Sequence, residues 1–345
     1  MCVKDTGTKY QLWISDFNID GTFTRVHPFI ISHTKTMTRT REDGKEEVFS
    51  ACIKHDDTRY LGGNKSSSIP ADILQGRPRT GISYEKANEF CANRGDWITM
   101  IDYLEYCAIQ ALCYIEYANF DNQAALNTNL TSDGFKQGGL GAGVTNLAWD
   151  RWTAFNGNNP IVQTYWTAEH NIGNGSTNGD FYTLENYNTD GSNFNTYLAV
   201  YRGILNFFGD IWTFIRDVVI INRNTNYNSV YLLKKGVNHA DITINNIQDK
   251  CYFIGDQANT NNYITEFDFR FGPYFIPNKV GTNKKADYNE IRGNNGQDTN
   301  KDVRVLLLNG CATDGSLAGS GYFTSAQIRI FSSSIVGFFT TVKLD

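Results

Sequence analysis

The sequence predicts an α+β fold in which two helices pack on short antiparallel strands and long, loop-rich insertions connect the elements. Three observations predict it. Apolar residues recur at helical spacing most clearly between residues 83 and 120. Short runs of β-branched and aromatic residues, bounded by turn residues, lie on both sides of that segment. Residues 121–200 are rich in Asn, Gly and Thr with scattered aromatics, and the helical spacing is lost there.

The chain is predicted to form a single domain over residues 1–345, without an internal repeat. Residues 1–80 form N-terminal strands and loops, residues 81–120 the helical pair, and residues 121–345 a loop-rich region with terminal strands. A 41% hydrophobic content with 22 Phe, 19 Tyr and 6 Trp is enough to bury a large core. This aromatic content excludes intrinsic disorder, which is typical of chains with few aromatics and high net charge.

The N-terminal region reads as short strands and turns. Alternation predicts strands over residues 10–14, 26–32 and 46–53. Residues 42–45 (EDGK) have the Asp-Gly chemistry of a hairpin turn, which favours positive φ at its tip. Residues 61–78 are rich in Gly, Ser and Pro, which indicates an exposed loop.

Two helices are predicted next. Ser83 is a candidate N-cap, Glu85 suits the positive end of the helix dipole, and Gly95 is predicted to close the first helix. Its apolar face carries Tyr84, Ala87, Phe90 and Cys91. The second helix is predicted to begin at residues 99–102 (TMID), which fit a capping box. Its core stripe consists of apolar residues at helical spacing: Ile101, Leu104, Ala108, Ala111, Leu112 and Ile115.

The remaining elements are strands. A structureless loop as long as residues 121–200 is improbable in a compact domain, so short strands and packed excursions are expected to fill it. Residues 212–221 (WTFIRDVVII) predict a strongly buried strand or strand pair, and residues 230–233 another. Three more strands are predicted over residues 303–308, 327–331 and 335–342.

Composition and charge exclude several function classes. A net charge of −5 with scattered Lys and Arg argues against a nucleic-acid partner. No apolar run approaches the length of a transmembrane helix, and residues 1–17 lack the apolar core of a signal peptide. The chain is therefore expected to fold in a cytoplasm without inserting in a membrane. Its seven cysteines, an odd number without a CxxC pair, are expected to be mostly reduced.

Motifs for catalysis, metal binding or phosphate binding are weak. The five histidines are dispersed, and His55-Asp56-Asp57 is better explained as a solvated triplet than as a metal site. The glycine-rich residues 138–143 fit a tight turn better than a phosphate cradle. Glu105 and Glu116, on one helix, more often form a solvated face or bond backbone groups than act as a catalytic pair. We therefore expect no metal, no cofactor and no catalytic residue.

Four segments together resemble a known family. Residues 83–91 (SYEKANEFC) through 97–106 (WITMIDYLEY) look like the helical pair of the formylglycine-generating-enzyme branch of C-type-lectin-like folds. Residues 201–214 (YRGILNFFGDIWTF) resemble its Gly-Asn-Val-Trp-Glu-Trp segment, in the version common in phage-encoded proteins. Residues 308–311 (LNGC) and 335–338 (IVGF) resemble its terminal strands. The resemblance implies a C-type-lectin-like domain of the phage-encoded branch.

The departures from the family argue against both of its known chemistries. The oxidase branch needs two active-site cysteines near its C-terminal strands, and only Cys311 lies there, since Cys251 is far off in sequence. Asn309 and Phe339 stand where the family has Arg. The Glu-Pro-Asn, Gln-Pro-Asp and Trp-Asn-Asp tripeptides of calcium-dependent lectins do not occur. The chain is therefore expected not to be an enzyme.

Binding is the function that remains. Tyr, Trp, Ser, Gly and Asn suit recognition loops because they combine contact area with adaptable hydrogen bonds. The resemblance places the recognition face at residues 314–334, and the candidate binding residues are Tyr322, Phe323, Thr324, Gln327 and Arg329. The alternative is that alternate members of this segment are core strand residues.

The resulting hypothesis is a phage virion protein, associated with the tail or a fibre, that binds a bacterial surface glycan or protein. Other virion proteins and further copies of the chain, as a homo-oligomer, are its expected partners. The first alternative is a structural decoration or connector protein of the virion. The second is a degenerate member of the oxidase branch, which a bound copper or a close approach of Cys251 and Cys311 would favour.

Overall fold

The protein combines a few helices with one large sheet. The computed structural model describes residues 2–5, 10–13, 25–26, 37–40, 46–49, 80–93, 98–122, 130, 134, 181–187, 193–201, 204–205, 211–222, 227–291 and 303–342. Within these ranges the prediction of a mixed helix and strand protein is confirmed.

The N-terminal strands form two small antiparallel sheets. Strand β1 (Cys2–Asp5) pairs with β2 (Tyr10–Trp13) on one side and with β3 (Arg25–Val26) on the other. Strands β4 (Met37–Thr40) and β5 (Glu46–Phe49) pair with each other, Thr40 opposite Glu46. The structure thus confirms strands at residues 10 and 46. The turn at residues 42–45 and the loop at residues 61–78 lie outside the described residues.

The first helix, α1 (Tyr84–Ala92), follows the predicted pattern. The Ser83 hydroxyl accepts a hydrogen bond from the Lys86 amide at 3.3 Å, so Ser83 is the N-cap. The helix ends at Ala92, and Gly95 lies outside the described residues.

The second helix, α2 (Tyr103–Tyr117), begins later than the sequence predicts. Residues 98–100 are extended, because β6 (Ile98–Met100) pairs with a strand near the C-terminus. The capping box is formed by Asp102 and Glu105, and not by Thr99 and Asp102. Asp102 Oδ1 accepts from the Glu105 amide at 2.9 Å, and Glu105 Oε2 accepts from the Asp102 amide at 3.1 Å.

The buried face of α2 is more polar than the predicted stripe. Ile101, Ala108 and Ala111 are buried as expected, but Ile115 is 40% exposed. Three tyrosines and two cysteines occupy the core side of the helix: Tyr103, Tyr106, Tyr114, Cys107 and Cys113. A buried phenol needs a partner for its hydroxyl, and the Tyr106 hydroxyl has Asn309 Oδ1 at 2.6 Å.

Short strands occupy part of the region that follows. Strand β7 (Phe181–Tyr187) pairs antiparallel with β8 (Asn193–Tyr201), which also pairs with β9 (Ile204–Leu205). This confirms that short strands occur in the Asn-rich region.

Nine strands of the described residues form the large sheet. They are β10 (Trp212–Ile221), β11 (Tyr227–Leu233), β12 (Cys251–Ala258), β13 (Asn262–Asp268), β14 (Ile276–Gly281), β15 (Tyr288–Glu290), β16 (Val303–Leu308), β17 (Phe323–Thr324) and β18 (Val336–Gly337). Their order is β12-β11-β10-β16-β17-β15-β13-β14, with β18 parallel to β10. A short helix, α3 (Ile247–Lys250), precedes β12, and β19 (Thr340–Val342) pairs with β6.

One predicted strand is wrong and another is divided. Residues 327–331 run through coil and a turn, in which the Phe331 amide donates to the Ile328 carbonyl. A ladder-like hydrogen bond from the Val305 amide to the Gln327 carbonyl attaches this segment to β16. The predicted strand over residues 335–342 is split into β18 and β19.

Helices α1 and α2 lie on opposite faces of the large sheet. Alternate residues of β10 and β16, such as Val218, Leu306 and Leu308, pack in one core with Tyr103 and Tyr106 of α2. On the opposite face α1 packs on a second cluster, which includes Phe214, Val305 and Leu307. A third cluster joins Val219, Ile221 and Tyr231 to the segment around α3. Each fully buried Val, Leu, Ile or Phe side chain stabilises the fold by about 1.5–3 kcal/mol relative to its exposure to solvent.

A wide bulge interrupts β10. Phe214 pairs with Leu307 and Val219 pairs with Val305, so five residue steps on β10 oppose two on β16. The three extra residues leave the ladder, and the Arg216 amide donates instead to the Ile101 carbonyl at 3.0 Å. Bulges of this kind re-aim side chains, and here Arg216 and Asp217 lie beside the start of α2.

Candidate binding cleft

A cleft of about 700 Å³ lies between α1, the β10 bulge and the residues that follow β11. This volume falls within the range of about 300–1,000 Å³ that is typical of small-molecule sites. Its lining is rich in amide, hydroxyl, acidic and cationic side chains: Tyr84, Asn88, Thr99, Arg216, Asp217, Lys234, Lys235, Asn238 and His239. We call it the α1 cleft.

The floor of the α1 cleft is the β10 bulge. Asp217 Oδ1 accepts a hydrogen bond from the Tyr103 amide at 2.8 Å, which satisfies one of the unpaired donors at the start of α2. The Arg216 guanidinium lies 3.2 Å from Asp102 Oδ2. Burial, together with the nearby Asp102 carboxylate, raises the pKa of Asp217 above its ordinary value. The floor of the α1 cleft therefore carries the Arg216 guanidinium and the Asp217 carboxyl.

One wall is formed by His239 and Tyr84. The Tyr84 hydroxyl donates to the Arg216 carbonyl, and the His239 ring lies 5.0 Å from the Tyr84 ring. His239 Nε2 is 3.3 Å from the Arg304 carbonyl, which can only accept, so Nε2 carries the proton. Burial lowers the pKa of His239 to about 4, so the ring is neutral at neutral pH.

The rim of the α1 cleft carries amine and amide donors. Lys234 Nζ donates to the Asp249 carbonyl at 2.7 Å and lies 5.1 Å from the centre of the Tyr252 ring. Lys235 is exposed. Asn88 Nδ2 donates to the Tyr84 carbonyl at 3.3 Å, which fixes the orientation of the amide on α1.

Three of the five predicted binding residues are core residues. Tyr322, Phe323 and Thr324 are only 3%, 1% and 2% exposed. The Tyr322 ring lies 4.5 Å from that of Trp212, and β17 is inserted between β15 and β16. Because the sheet covers these side chains, they cannot contact a partner in this fold. The alternative reading, core strand residues, is the one that the structure supports for them.

The other two predicted residues lie nearer the surface. Gln327 and Arg329 are half-buried. Arg329 Nε lies 2.9 Å from Glu85 Oε1, and its Nη1 donates to the Ala240 carbonyl at 3.3 Å. Arg329 thus ties the first turn of α1 to the turn that carries His239. Of the predicted set, Arg329 is the residue that bonds to elements forming the α1 cleft.

The cysteines do not fit the donor set of a copper oxidase. Cys311 lies in the apolar cluster around Trp212 and Phe214, whereas Cys251 lies in the cluster around Val219 and Tyr231. Burial raises the pKa of Cys251 to about 11 and that of Cys311 still further, so both are thiols at neutral pH. Two thiols in separate clusters do not supply the paired thiolates that the oxidase branch needs.

The positions of the described His, Cys, Asp and Glu side chains decide whether they can meet the requirements of a metal site. Among the described residues, no group of three or more His, Cys, Asp and Glu side chains is placed to hold a metal ion. His55-Asp56-Asp57 and residues 138–143 lie outside those residues.

No helix within the described ranges is long and apolar enough to cross a membrane. Glu105 caps α2, one of the two roles expected for it.

Sequence reasoning missed the floor of the α1 cleft. The signal available was the pair Arg216-Asp217 inside the apolar run of residues 212–221, since a charged pair is out of place in a fully buried strand. Nothing in the sequence around His239 indicated its burial.

No protein-family model matches the chain, and no curated protein matches it either.

Proposed function

We propose that the chain is a non-enzymatic binding protein of a phage virion, associated with the tail or a fibre, that recognises a bacterial surface glycan or protein. The lectin-like resemblance of four ordered segments motivates the phage context. The α1 cleft is the observation that carries the binding role, because it offers a concave surface lined by several kinds of hydrogen-bonding side chain.

The hydrogen bonds made by the titratable groups of the α1 cleft favour a role in recognition over a role in catalysis. Asp217 accepts from the start of α2, Tyr84 donates to the β10 backbone, and His239 donates to β16. Each of these groups therefore holds a wall of the cleft in place. A general base needs a lone pair that can reach a substrate proton, whereas the His239 ring is 2% exposed.

The rim can supply recognition. The Lys235 ammonium and the amides of Asn88 and Asn238 line the opening, and all three side chains bond readily to hydroxyl or carbonyl groups. Amide and cationic donors beside a tyrosine are the composition of many recognition surfaces.

The test is binding to bacterial cells and to arrays of bacterial glycans. Ala92 is exposed and lines the α1 cleft at the end of α1, so Ala92→Trp fills the opening without removing a core contact. Glu89→Trp, at an exposed position of the same helix that does not line the cleft, is the matched control. We expect Ala92→Trp to lower cell binding at least tenfold and Glu89→Trp to leave it unchanged.

Two results would oppose the proposal. Equal binding by Ala92→Trp and the parent would remove the α1 cleft from recognition. Absence of cell and glycan binding, together with a particle in which the chain is buried among other virion proteins, would favour a decoration or connector protein.

A further inference from the structure

A second concave site lies on the same face of the sheet as the α1 cleft. Leu233 lines the α1 cleft, and Tyr231, two residues earlier on β11, therefore points to the same face. Tyr231 begins a series of three rings: the Phe253 ring lies 5.5 Å from it, and the Phe271 ring lies 5.3 Å from that of Phe253. We call these three residues the aromatic shelf.

The outer ring of the shelf is unusually exposed. Phe271 is 54% accessible to solvent, although a phenylalanine gains free energy by burial. Both pairs of rings meet edge to face, at 68° and 72°, which is a favourable geometry for aromatic side chains. The contact with the Phe253 ring thus fixes the orientation of the exposed Phe271 ring.

A charged group also contacts the outer ring of the shelf. The Arg270 guanidinium lies 5.6 Å from the centre of the Phe271 ring. Its Nη2 atom is 2.6 Å from Asp268 Oδ2 and 2.6 Å from Asp256 Oδ2. Two carboxylates, one on β12 and one on β13, therefore hold the cation against the ring, and little rotamer freedom of Arg270 remains to be lost when a ligand binds.

A pocket of about 420 Å³ adjoins the shelf. Its lining combines the inner rings with polar side chains: Ser229, Tyr231, Gln248, Cys251, Phe253 and Asp256. Gln248 is exposed and offers both a donor and an acceptor, whereas Asp256 offers acceptor oxygens. An aromatic plane beside amide, hydroxyl and carboxylate groups has the composition of a site for a ligand with one apolar face and many hydroxyls.

We propose that the aromatic shelf and its pocket form a saccharide subsite. One face of a pyranose ring presents C–H bonds with partial positive charge, which favour the negative face of an aromatic ring. Phe271 supplies that ring, and Asp256, Gln248 and Ser229 bond the hydroxyls at the edge of the sugar. The subsite needs no calcium, because protein side chains supply every contact.

The inference rests on the proposed function in taking the partner to be a bacterial surface, and it narrows that partner to a glycan. A protein partner would bury a wider and flatter surface, typically with a central cluster of large side chains. The small pocket beside the exposed Phe271 ring fits one or two sugar units better.

The test measures binding of the full chain to oligosaccharides released from the host surface, in the presence of a calcium chelator. Phe271→Ala removes the stacking face, and we expect at least a tenfold loss of affinity. Phe271→Trp keeps a stacking face and should retain at least the parent affinity. Ile330→Ala changes another exposed apolar side chain, 62% accessible and not part of the pocket lining, and should have no effect. Unchanged thermal unfolding of the variants verifies their folds.

The outcomes separate this inference from the proposed function. Cell binding that persists while saccharide binding is absent, or is indifferent to Phe271→Ala, overturns the saccharide subsite and leaves the proposed function standing. Saccharide binding that depends on Phe271 without any cell binding supports the subsite and overturns the proposed function. Loss of both activities in Phe271→Ala, with both kept in Phe271→Trp, supports the two together. Absence of both in the parent chain overturns both.

Discussion

The buried carboxyl of Asp287 makes the stability of the fold depend on pH. Asp287 is 2% exposed and accepts three hydrogen bonds, from Asn122 N at 3.1 Å, Asn122 Nδ2 at 2.7 Å and Gly321 N at 2.7 Å. These bonds favour the ionised form, but burial outweighs them. Burial raises the pKa of Asp287 to about 7.

The size of the effect follows from the difference between the folded and unfolded chains. The unfolded chain ionises an Asp near pH 3.9, as model peptides do. The folded chain holds the Asp287 carboxyl neutral until about pH 7. This group therefore stabilises the fold at low pH, and its contribution to the free energy of unfolding falls as the pH rises from about 4 to about 7. At about 1.4 kcal/mol per pKa unit, the loss is about 4 kcal/mol.

The assay compares the parent chain with Asp287→Asn, which cannot titrate. Urea unfolding, followed by tryptophan fluorescence at several pH values from 4 to 8, gives the free energy of unfolding of each. We expect the parent's advantage over Asp287→Asn to fall by about 4 kcal/mol across that range. Asp249→Asn, at an exposed position, is the control and should show no such change. A parent-to-variant difference that stays constant with pH would mean that the three hydrogen bonds keep Asp287 ionised throughout, and would refute the reasoning.

Four further predictions concern stability and reactivity. Tyr106→Phe removes a hydroxyl that contacts Asn309 Oδ1 and the Ser320 carbonyl, and should lower the free energy of unfolding in urea by about 1–3 kcal/mol. Asp102→Ala removes the α2 cap and the partner of Arg216, and should cost about 1–2 kcal/mol by thermal unfolding, whereas Asp102→Asn should recover part of it. Phe214→Ala opens a cavity at a fully buried site and should cost about 3–5 kcal/mol in calorimetry. In a chain with Cys2→Ser and Cys52→Ser, a thiol reagent should label no cysteine until denaturant is added, because the five cysteines that remain are buried.

Each of these has an outcome that would contradict it. A Tyr106→Phe or Phe214→Ala chain as stable as the parent would show that the site rearranges without cost. Equal losses from Asp102→Ala and Asp102→Asn would remove the cap as the cause. Rapid labelling of any thiol in the native chain would place that cysteine at the surface.

Local patterns predicted the helices and the long strands of the sheet. The N-cap at Ser83 and the apolar run over residues 212–221 are signals within a few residues of the elements that they define. The start of α2 shows where such signals become ambiguous. Both Thr99 with Asp102 and Asp102 with Glu105 have the spacing of a capping box. Pairing of residues 98–100 with β19, far away in sequence, selects the second.

The candidate site was harder to predict because its surroundings are set by distant pairings. Tyr322, Phe323 and Thr324 have the composition of a recognition segment, yet β17 pairs with both β15 and β16 and is covered by them. The α1 cleft depends on the β10 bulge, whose extra residues are visible only when β16 is aligned beside it. The aromatic shelf likewise brings together three rings from β11, β12 and the residue that follows Arg270.

Two strands at opposite ends of the strand order of the large sheet come close together. This contact has a consequence where many copies of the chain lie side by side. The strands β12 and β14 stand at opposite ends of the described strand order. Even so, the Asp256 amide donates to Asp268 Oδ2 at 3.0 Å, and the Asp256 carbonyl accepts from Asn278 Nδ2 at 3.2 Å. Gly255 permits this approach, because a Cβ there would lie 2.8 Å from Ile276. The unpaired N–H and C=O groups of an edge strand can form hydrogen bonds with the backbone of a neighbouring molecule, which extends the sheet. Here side chains of the same molecule already bond the amide and the carbonyl of Asp256. A neighbouring copy therefore cannot extend the ladder by pairing with Asp256.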